Sequence, residues 1–271
     1  MNDASQHETL RSTVLPNGQR VFHLNHSETR YLYDEIFVTR AYTPPGFAPD
    51  RPNPTVLDVG ANIGLFALFA VNQWPGARVY AFEPVPETFR VLKANTSSQN
   101  VQALEVGIGR TSHLTTMFHY PRYSIISGRH ADPARDSAVV RTYLENVAQQ
   151  LDDTAHREAV LASIDEILAG RFDRTSVPCQ IETLSDMIRI SGLSRIDLLK
   201  IDIERDELDA VLGIDDSSWD LIDRMVVEID DQGGELAKIS ELARAHGMVV
   251  RTTQLAPYQG TGLHMLYAMR P

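Results

Sequence analysis

Apolar and polar positions alternate along the middle of the chain in two different rhythms. Short apolar runs are followed by segments in which apolar residues recur every three or four positions. Runs of the first kind are typical of buried parallel strands, and segments of the second kind of amphipathic helices. The pattern from Thr55 therefore predicts a doubly wound α/β sheet. Its first elements are a strand at 55–59, a helix at about 64–73, a strand at 78–82, a helix at about 86–97 and a strand at 102–106.

The alternation stops after residue 106, and the next clear strand, 196–201, comes about 90 residues later. Ordinary crossovers are much shorter. We therefore predict an insertion at about 110–178, containing a strand at 113–120 and two helices at 136–151 and 155–168. We interpret the two helices as a lid over a ligand. A dimer surface or a structural cap is the alternative.

The sheet pattern resumes after the insertion and continues towards the end of the chain. Two further apolar strands and two closing ones bring the predicted sheet to seven strands, and residues 55–271 are predicted as one domain. The remaining elements are a helix starting at 182, the strand 196–201, a helix at 206–213, a strand at 225–229, a helix at 234–246 and strands at 248–254 and 264–269.

Residues 1–54 form a predicted N-terminal segment that precedes the sheet. Asn17-Gly18 is a strong hairpin signal between two short β-rich pieces. A helix at 28–38 capped by Ser27 follows, and then a proline-rich linker at 43–54. Tyr31 and Glu35 fall on adjoining helical positions, so they either face a ligand at the sheet edge or simply pack against it.

The composition restricts the class of function. A net charge of −11 argues against nucleic acid or an anionic membrane as the main partner, so a small-molecule partner is expected. Cys179 is the single cysteine, which excludes an intrachain disulfide and a cysteine-based metal site. The first ten residues lack the pattern of a secretory signal, and no apolar run is long enough to span a bilayer. These features predict a cytoplasmic protein.

The turn after the first strand predicts a nucleotide-like ligand. Gly60 and Gly64 let backbone come close to a ligand, but the turn lacks the three glycines of a dinucleotide fingerprint. Asp58 would repel a pyrophosphate and would suit a cationic amino-acid end. Glu83, at the end of the second strand, is placed to accept hydrogen bonds from both hydroxyls of a ribose.

Three segments of the chain resemble the motifs of the FkbM family of S-adenosylmethionine-dependent methyltransferases. They are Asp58-Val-Gly-Ala-Asn-Ile-Gly64, Phe82-Glu-Pro-Val-Pro-Glu-Thr-Phe89 and Asp197-Leu-Leu-Lys-Ile-Asp-Ile-Glu204. The resemblance covers roughly residues 55–230 and departs from the family at Arg205-Asp206, where Gly-Ala is common.

The resemblance implies the Rossmann-like, seven-stranded class I methyltransferase fold. It also implies S-adenosylmethionine as the methyl donor, and O-methylation of a natural-product or sugar hydroxyl as the usual reaction. The residues then expected at the donor are Asp58, Gly60, Ala61, Asn62, Gly64, Glu83 and Pro84, with Tyr31 and Glu35 from the preceding helix.

Charged residues end two of the later strands, where the sheet would meet the acceptor. Lys200, Asp202 and Glu204 alternate at the end of an apolar strand, and burying them costs several kcal/mol unless they pair or meet a ligand. We predict Asp202 as the catalytic residue, with a structural Lys-carboxylate network as the alternative. Glu228 and Asp230 end the next strand. They either orient the acceptor or, with Asp202, hold Mg²⁺.

Several questions stay open from the sequence alone. A histidine could serve as general base, but none of the candidates stands out. An NAD-dependent dehydrogenase and a non-catalytic S-adenosylmethionine-binding scaffold are the alternative functions, and the first lacks its phosphate turn. The acceptor is undetermined, N-methylation is not excluded, and a homo-oligomer is allowed. The candidate bases are His23, His26, His119, His130 and His264.

Overall fold

A computed structural model of the chain describes residues 10–271. The first nine residues, on which the expectation about a secretory signal rests, lie outside the described residues. Strands β1 to β12 are Arg11–Val14, Arg20–His23, Thr55–Val59, Arg78–Phe82, Val101–Leu104, Gly107–Ile108, His113–His119, Thr175–Glu182, Leu198–Ile201, Arg224–Asp230, Val249–Thr253 and Leu263–Met269. Helices α1 to α9 are His26–Tyr33, Leu65–Gln73, Pro86–Thr96, Pro133–Gln149, Thr154–Leu168, Leu184–Ile190, Glu207–Leu212, Asp216–Trp219 and Glu235–Ala245.

Seven of the strands form one mixed sheet in the order β11-β12-β10-β9-β3-β4-β5. Strands β10, β9, β3, β4 and β5 run parallel, and β12 is antiparallel to both of its neighbours. The predicted seven-stranded Rossmann-like sheet is thus confirmed. Because the carboxyl ends of the parallel strands meet at one edge, the turns after β3, β4, β9 and β10 lie side by side.

Both faces of the sheet are covered, because successive side chains of a strand point to opposite faces. Val56 and Leu198 belong to a core shared with helix α2 and the N-terminal segment. Leu57 and Leu199 belong to a second core on the other face, shared with α6, α7 and α9. The division at residue 54 stays a prediction, since residues from both sides of it share the first core.

The insertion builds a small sheet of its own, in the order β6-β8-β7. The sequence pattern missed β8 because Pro178 interrupts its apolar run. Pro178 is tolerated because β8 has a partner strand on only one side at this position. It pairs there with β7, and β6 joins its other side only at Ile181 and Glu182. The short elements β6 and α8 were missed as well.

The two predicted helices of the insertion are present as α4 and α5. They pack through a small apolar cluster that includes Val140, Ile164 and Leu168. The side-chain amide of Asn146 on α4 donates to the carbonyl oxygens of Pro257 and Gln259, which fixes α4 to the loop before β12. Helix α4 therefore bridges the insertion and the closing part of the sheet.

The N-terminal segment forms the expected hairpin, and Gly18 adopts φ 86° in its turn. The prediction of one helix over 28–38 with Ser27 as cap is wrong. Asn25 caps α1 by accepting from the backbone N–H groups of Ser27 and Glu28, and at Asp34 the α-helix changes to a π-helical turn that runs to Thr39. Such turns are rare in proteins, and those that occur are often found at functional sites.

Candidate active site

A cavity lies over the carboxyl edge of β4, β3, β9 and β10, roofed by α1, α4 and the turn at Tyr258. Among the predicted site residues, Asp58, Ala61 and Gly64 do not line it. Those that do are Tyr31, Glu35, Gly60, Asn62, Glu83, Pro84, Asp202, Glu228 and Asp230. The structure therefore brings together most of the residues selected from the sequence.

The turn after β3 requires glycine at its first position. Gly60 has φ 78°, and a Cβ atom there would lie 1.8 Å from the carbonyl oxygen of Asp202. Its backbone N–H donates to the carbonyl oxygen of Phe82, which ties β3 to β4. Gly64 has a different role, because a Cβ there would press on Leu92 of α3. It permits helix packing and does not contact the cavity.

Glu83 is fixed at the end of β4 by its own neighbours. Its carboxylate accepts the backbone N–H of Asn62 at 3.0 Å and that of Val85 at 2.9 Å. Only 6% of the residue is exposed, and burial raises the pKa of Glu83 to about 7. A carboxylate offers about four acceptor positions, so two remain for hydrogen-bond donors in the cavity.

Asp58 lies beneath the cavity and meets a lysine instead of a ligand. It is fully buried, 3.1 Å from Nζ of Lys200. The same ammonium donates to the carbonyl oxygen of Gly60 at 2.9 Å and lies 3.4 Å from Asp202. Burial alone would lower the pKa of Lys200, but the two carboxylates raise it above its ordinary value. The structural network considered as an alternative is therefore present, and Asp202 takes part in it.

Tyrosines and carboxylates line the end of the cavity over β9 and β10. The Tyr31 hydroxyl donates to Glu35 at 2.9 Å and also contacts the hydroxyl of Tyr258. The Tyr42 hydroxyl donates to Asp202 at 2.9 Å and to Glu35 at 3.4 Å. We call this region the tyrosine–carboxylate recess, formed by Tyr31, Glu35, Tyr42, Tyr143, Asp202, Glu228 and Tyr258.

Two carboxyl groups of this recess, those of Glu35 and Glu228, have raised pKa values. Burial and then the charge of Asp202 raise the pKa of Glu35 to about 7. The same two causes raise the pKa of Glu228 well above its ordinary value. Tyr42, Tyr143 and Tyr258 were missed by sequence reasoning. They come from the turn before the linker, from the insertion and from a loop, and no local pattern connects them.

The arrangement does not support the magnesium alternative. Among residues 10–271, no cluster of three or more metal-ligating side chains is arranged to hold an ion. Asp230, one of the three suggested ligands, accepts two hydrogen bonds from Arg135 and lies 3.6 Å from Nε of Arg205. Its oxygens are therefore directed to arginines and not towards Asp202 and Glu228.

Arg205 and Asp206, where the chain departs from the family pattern, fasten the insertion to the sheet. Arg205 has φ 78°, a conformation that favours glycine, and its guanidinium binds Asp136 and the carbonyl oxygen of His130. Asp206 accepts from Arg129 and pairs with His130 at 3.1 Å. The departure therefore has a structural explanation in these contacts with the start of α4 and the loop before it.

The candidate histidines do not line the cavity. Among the described residues that line the cavity, none is a histidine. His119 is 3.2 Å from Glu87, His130 pairs with Asp206, and the rings of His23 and His26 contact each other. Carboxylates are therefore the available proton acceptors at this site.

No helix within residues 10–271 has the length and apolarity needed to cross a membrane.

Comparisons with known proteins agree with the geometry. The 31-O-demethyl-FK506 methyltransferase FkbM of Streptomyces tacrolimicus is 37% identical over 97% of both chains. The AMB antimetabolite synthetase AmbE of Pseudomonas aeruginosa is 39% identical over 97% of this chain, which spans only 13% of that synthetase. A methyltransferase FkbM structure from Methylobacillus flagellatus has a TM-score of 0.50 at 12% identity, covering 87% of this chain and 47% of the other, and shows the fold alone.

The family itself is recognised over most of the sheet. The family model described as the methyltransferase FkbM domain matches residues 58–250, which include the turn after β3, Glu83, Asp202 and Glu228. Together with the relative that matches over nearly its full length, this shows that the chain belongs to the FkbM family of methyltransferases.

Proposed function

We propose that this protein transfers a methyl group from S-adenosylmethionine to a hydroxyl group of a small molecule. The observation that carries the proposal is that one cavity holds two groups of residues, one at each end. Glu83 and the turn after β3 lie at one end of it, and Asp202 and the tyrosine–carboxylate recess lie at the other. An oxygen acceptor is supported by the relative that is named for methylating 31-O-demethyl-FK506.

The residues at the β3–β4 end fit the donor. Glu83 has two acceptor positions free for the ribose hydroxyls, and the turn at Gly60 has no side chain to block the approach of the rest of the molecule. Asn62 and Pro84 line the same part of the cavity. Bound there, S-adenosylmethionine would supply a methyl group activated by a sulfonium leaving group.

The residues at the β9–β10 end would act on the acceptor. Methyl transfer depends mainly on holding the oxygen in line behind the methyl group, so positioning is the main task of the protein. Asp202 is held by Tyr42 and Lys200 at the strand next to Gly60, where it can accept the proton of a bound hydroxyl. Helix α4 covers this end and would limit access of water.

Calorimetry with S-adenosylmethionine and with NAD⁺ tests the donor assignment. We expect the first to bind and the second not to bind. We expect Glu83→Ala to weaken S-adenosylmethionine binding by about 1–3 kcal/mol, because a charge-assisted hydrogen bond to the ribose is lost. Glu105→Gln, at an exposed position directly after the neighbouring strand β5, is the control and should bind normally. Unchanged affinity in a folded Glu83→Ala protein would remove Glu83 from the donor site.

Because the pKa of Glu83 is raised, the affinity for adenosine should change with pH in a defined direction. Because this pKa is about 7, the carboxyl group is mostly protonated at pH 6 and mostly ionised at pH 8. Ribose hydroxyls bind an ionised carboxylate more strongly than a neutral carboxyl group, so adenosine should bind several times more tightly at pH 8 than at pH 6. The dependence should be absent in Glu83→Gln. Calorimetry with adenosine measures both, and an equal dependence in the two proteins would contradict the assignment.

Turnover separates an enzyme from a binding protein. A methyltransferase produces S-adenosylhomocysteine when an acceptor is present, whereas a non-catalytic scaffold binds the donor without consuming it. Arg205-Asp206, where the chain departs from the family pattern, makes contacts with the insertion, and Asp202 and Glu228 still line the cavity. Donor binding without any S-adenosylhomocysteine across a panel of small-molecule hydroxyl compounds would favour the scaffold.

A further inference from the structure

The cavity is lined by more acidic side chains than the cations of the protein pair with. Three of the acids that line the cavity are bound by cations of the protein, Asp136 by Arg205, Asp206 by Arg129, and Asp230 by Arg135. Lys200 is shared between Asp58 and Asp202. No salt bridge to Lys or Arg is formed by the remaining lining acids among the described residues, which are Glu35, Glu83, Glu204 and Glu228.

Two of these remaining acids belong to the tyrosine–carboxylate recess. Glu35 is 8% exposed and is fixed by the hydroxyls of Tyr31 and Tyr42. Glu228 lines the recess from β10, and its Oε2 atom is buried without any hydrogen-bond partner among the described residues. A buried carboxylate oxygen without a partner is costly, so it points to a donor that a ligand would bring.

The aromatic walls of the recess suit a positive charge. Tyr143 lies with its ring edge-on to Tyr31 at 5.6 Å and tilted towards Tyr258 at 5.4 Å between ring centres. Tyrosine rings attract ammonium groups through their faces, and such rings combined with carboxylates are a recurring way of binding them. The ammonium of Lys200 already lies 5.1 Å from the centre of the Tyr42 ring on the inner side.

The strand order separates the recess from Glu83, which we assign to the ribose of the donor. Glu83 follows β4 and Glu228 lies on β10, with β3 and β9 between them. Three strand spacings amount to roughly 14 Å. Val227 pairs with Ile201, so the next residues, Glu228 and Asp202, lie at the same level on adjacent chain segments, with their Cα atoms roughly 5 Å apart.

We propose that the acceptor is an amino alcohol whose ammonium group binds between Glu228, Glu35 and the surrounding tyrosines. Its hydroxyl group then lies at Asp202, two or three carbon atoms away from the nitrogen. This inference rests on the proposed methyl transfer and adds the chemical class of the acceptor. Burial and then the charge of Asp202 raise the pKa values of Glu35 and Glu228, and an ammonium group bound between them would favour their ionised forms.

The test uses two probes of the same shape, benzylammonium and benzyl alcohol, with the full chain saturated with S-adenosylhomocysteine. Calorimetry should show benzylammonium binding at least about tenfold more tightly. Glu228→Gln, which keeps the shape of the side chain, should reduce this preference to about threefold or less. Glu241→Gln on the exposed face of α9 is the control and should keep the full preference.

The outcomes separate this inference from the proposed function. Equal binding of the two probes, or an undiminished preference in folded Glu228→Gln, would overturn it. Competition between benzylammonium and S-adenosylhomocysteine would also overturn it, because the recess would then hold the amino group of the donor. If S-adenosylhomocysteine does not bind at all, the proposed methyl transfer fails, and the preference for benzylammonium is then measured on the chain alone.

Turnover provides an independent measurement. With S-adenosylmethionine present, short amino alcohols should give S-adenosylhomocysteine at least about tenfold faster than their N-acetylated forms. Glu228→Gln should remove this difference mainly through a higher KM for the free amine, since the carboxylate binds the substrate away from the reacting oxygen. N-acetylated compounds that react as fast as the free amines would contradict the proposal.

Discussion

Replacing Lys200 by methionine should lower the free energy of unfolding by about 3–5 kcal/mol, because it leaves two acids without their cation. Lys200 is 3% exposed, and its ammonium binds Asp58, Asp202 and the carbonyl oxygen of Gly60. Methionine fills a similar volume, so the loss would come from charge and hydrogen bonding and not from a cavity. Urea unfolding followed by circular dichroism measures it.

Two further variants establish the cause. Lys93→Met removes an exposed lysine from α3 and should change the free energy of unfolding by less than about 0.5 kcal/mol. Adding Asp58→Asn to Lys200→Met removes the fully buried charge that has lost its partner, and should recover part of the stability. A loss below about 1 kcal/mol in Lys200→Met would show that the pair contributes little to the fold.

The second large effect concerns turnover. Asp202→Asn should reduce methyl transfer by roughly 10²-fold or more while leaving S-adenosylmethionine affinity within about 1 kcal/mol, as expected when an interaction is made mainly in the transition state. Asparagine can still accept the hydrogen bond that the Tyr42 hydroxyl donates to Asp202 at 2.9 Å. The local structure is therefore expected to persist while the charge is lost. Single-turnover formation of S-adenosylhomocysteine, with calorimetry of the donor, measures the two quantities.

The same assay distinguishes the roles that Asp202 could have. Asp152→Asn, in the exposed loop between α4 and α5, is the matched control and should keep full turnover. Since Asp230 is bound to arginines, we also expect turnover to be unaffected by a chelator or by added Mg²⁺. If Asp202→Asn unfolds the protein, or abolishes donor binding without a separate effect on turnover, Asp202 belongs to the structural network or to the donor site and is not catalytic.

Helix α1 illustrates where a local pattern is misleading. The apolar spacing of residues 28–38 predicts one regular helix, but the chain widens into a π-helical turn at Asp34. This turn carries Glu35, which bonds to Tyr31 and Tyr42. Tyr31 precedes the turn and Tyr42 follows it. The Tyr31 hydroxyl also contacts the hydroxyl of Tyr258, which lies in a distant loop. The propensity of the segment does not contain this information, because tertiary contacts select between two similar backbone forms.

Asp58 shows the same limit for a single side chain. Its place at the end of the first strand is evident from the sequence, and a meeting with a cationic ligand is a reasonable expectation there. The parallel pairing of β3 with β9 sets Asp58 opposite Lys200, so the cation that it meets belongs to the protein. Which strand lies beside β3 is a property of the whole sheet and has no signal near either residue.

The sequence by itself determined the alternating strands and helices of the sheet, the insertion and the acids at the strand ends, because each leaves a periodic or positional signal in adjacent residues. Since parallel strands end at a common edge, that signal was enough to bring Gly60, Glu83, Asp202 and Glu228 to one cavity. Only the tertiary structure decided that tyrosines from a turn, an inserted helix and a loop surround these acids. Such contacts join segments that are distant in the sequence, and they leave no periodic pattern in neighbouring residues. They form only when the chain folds.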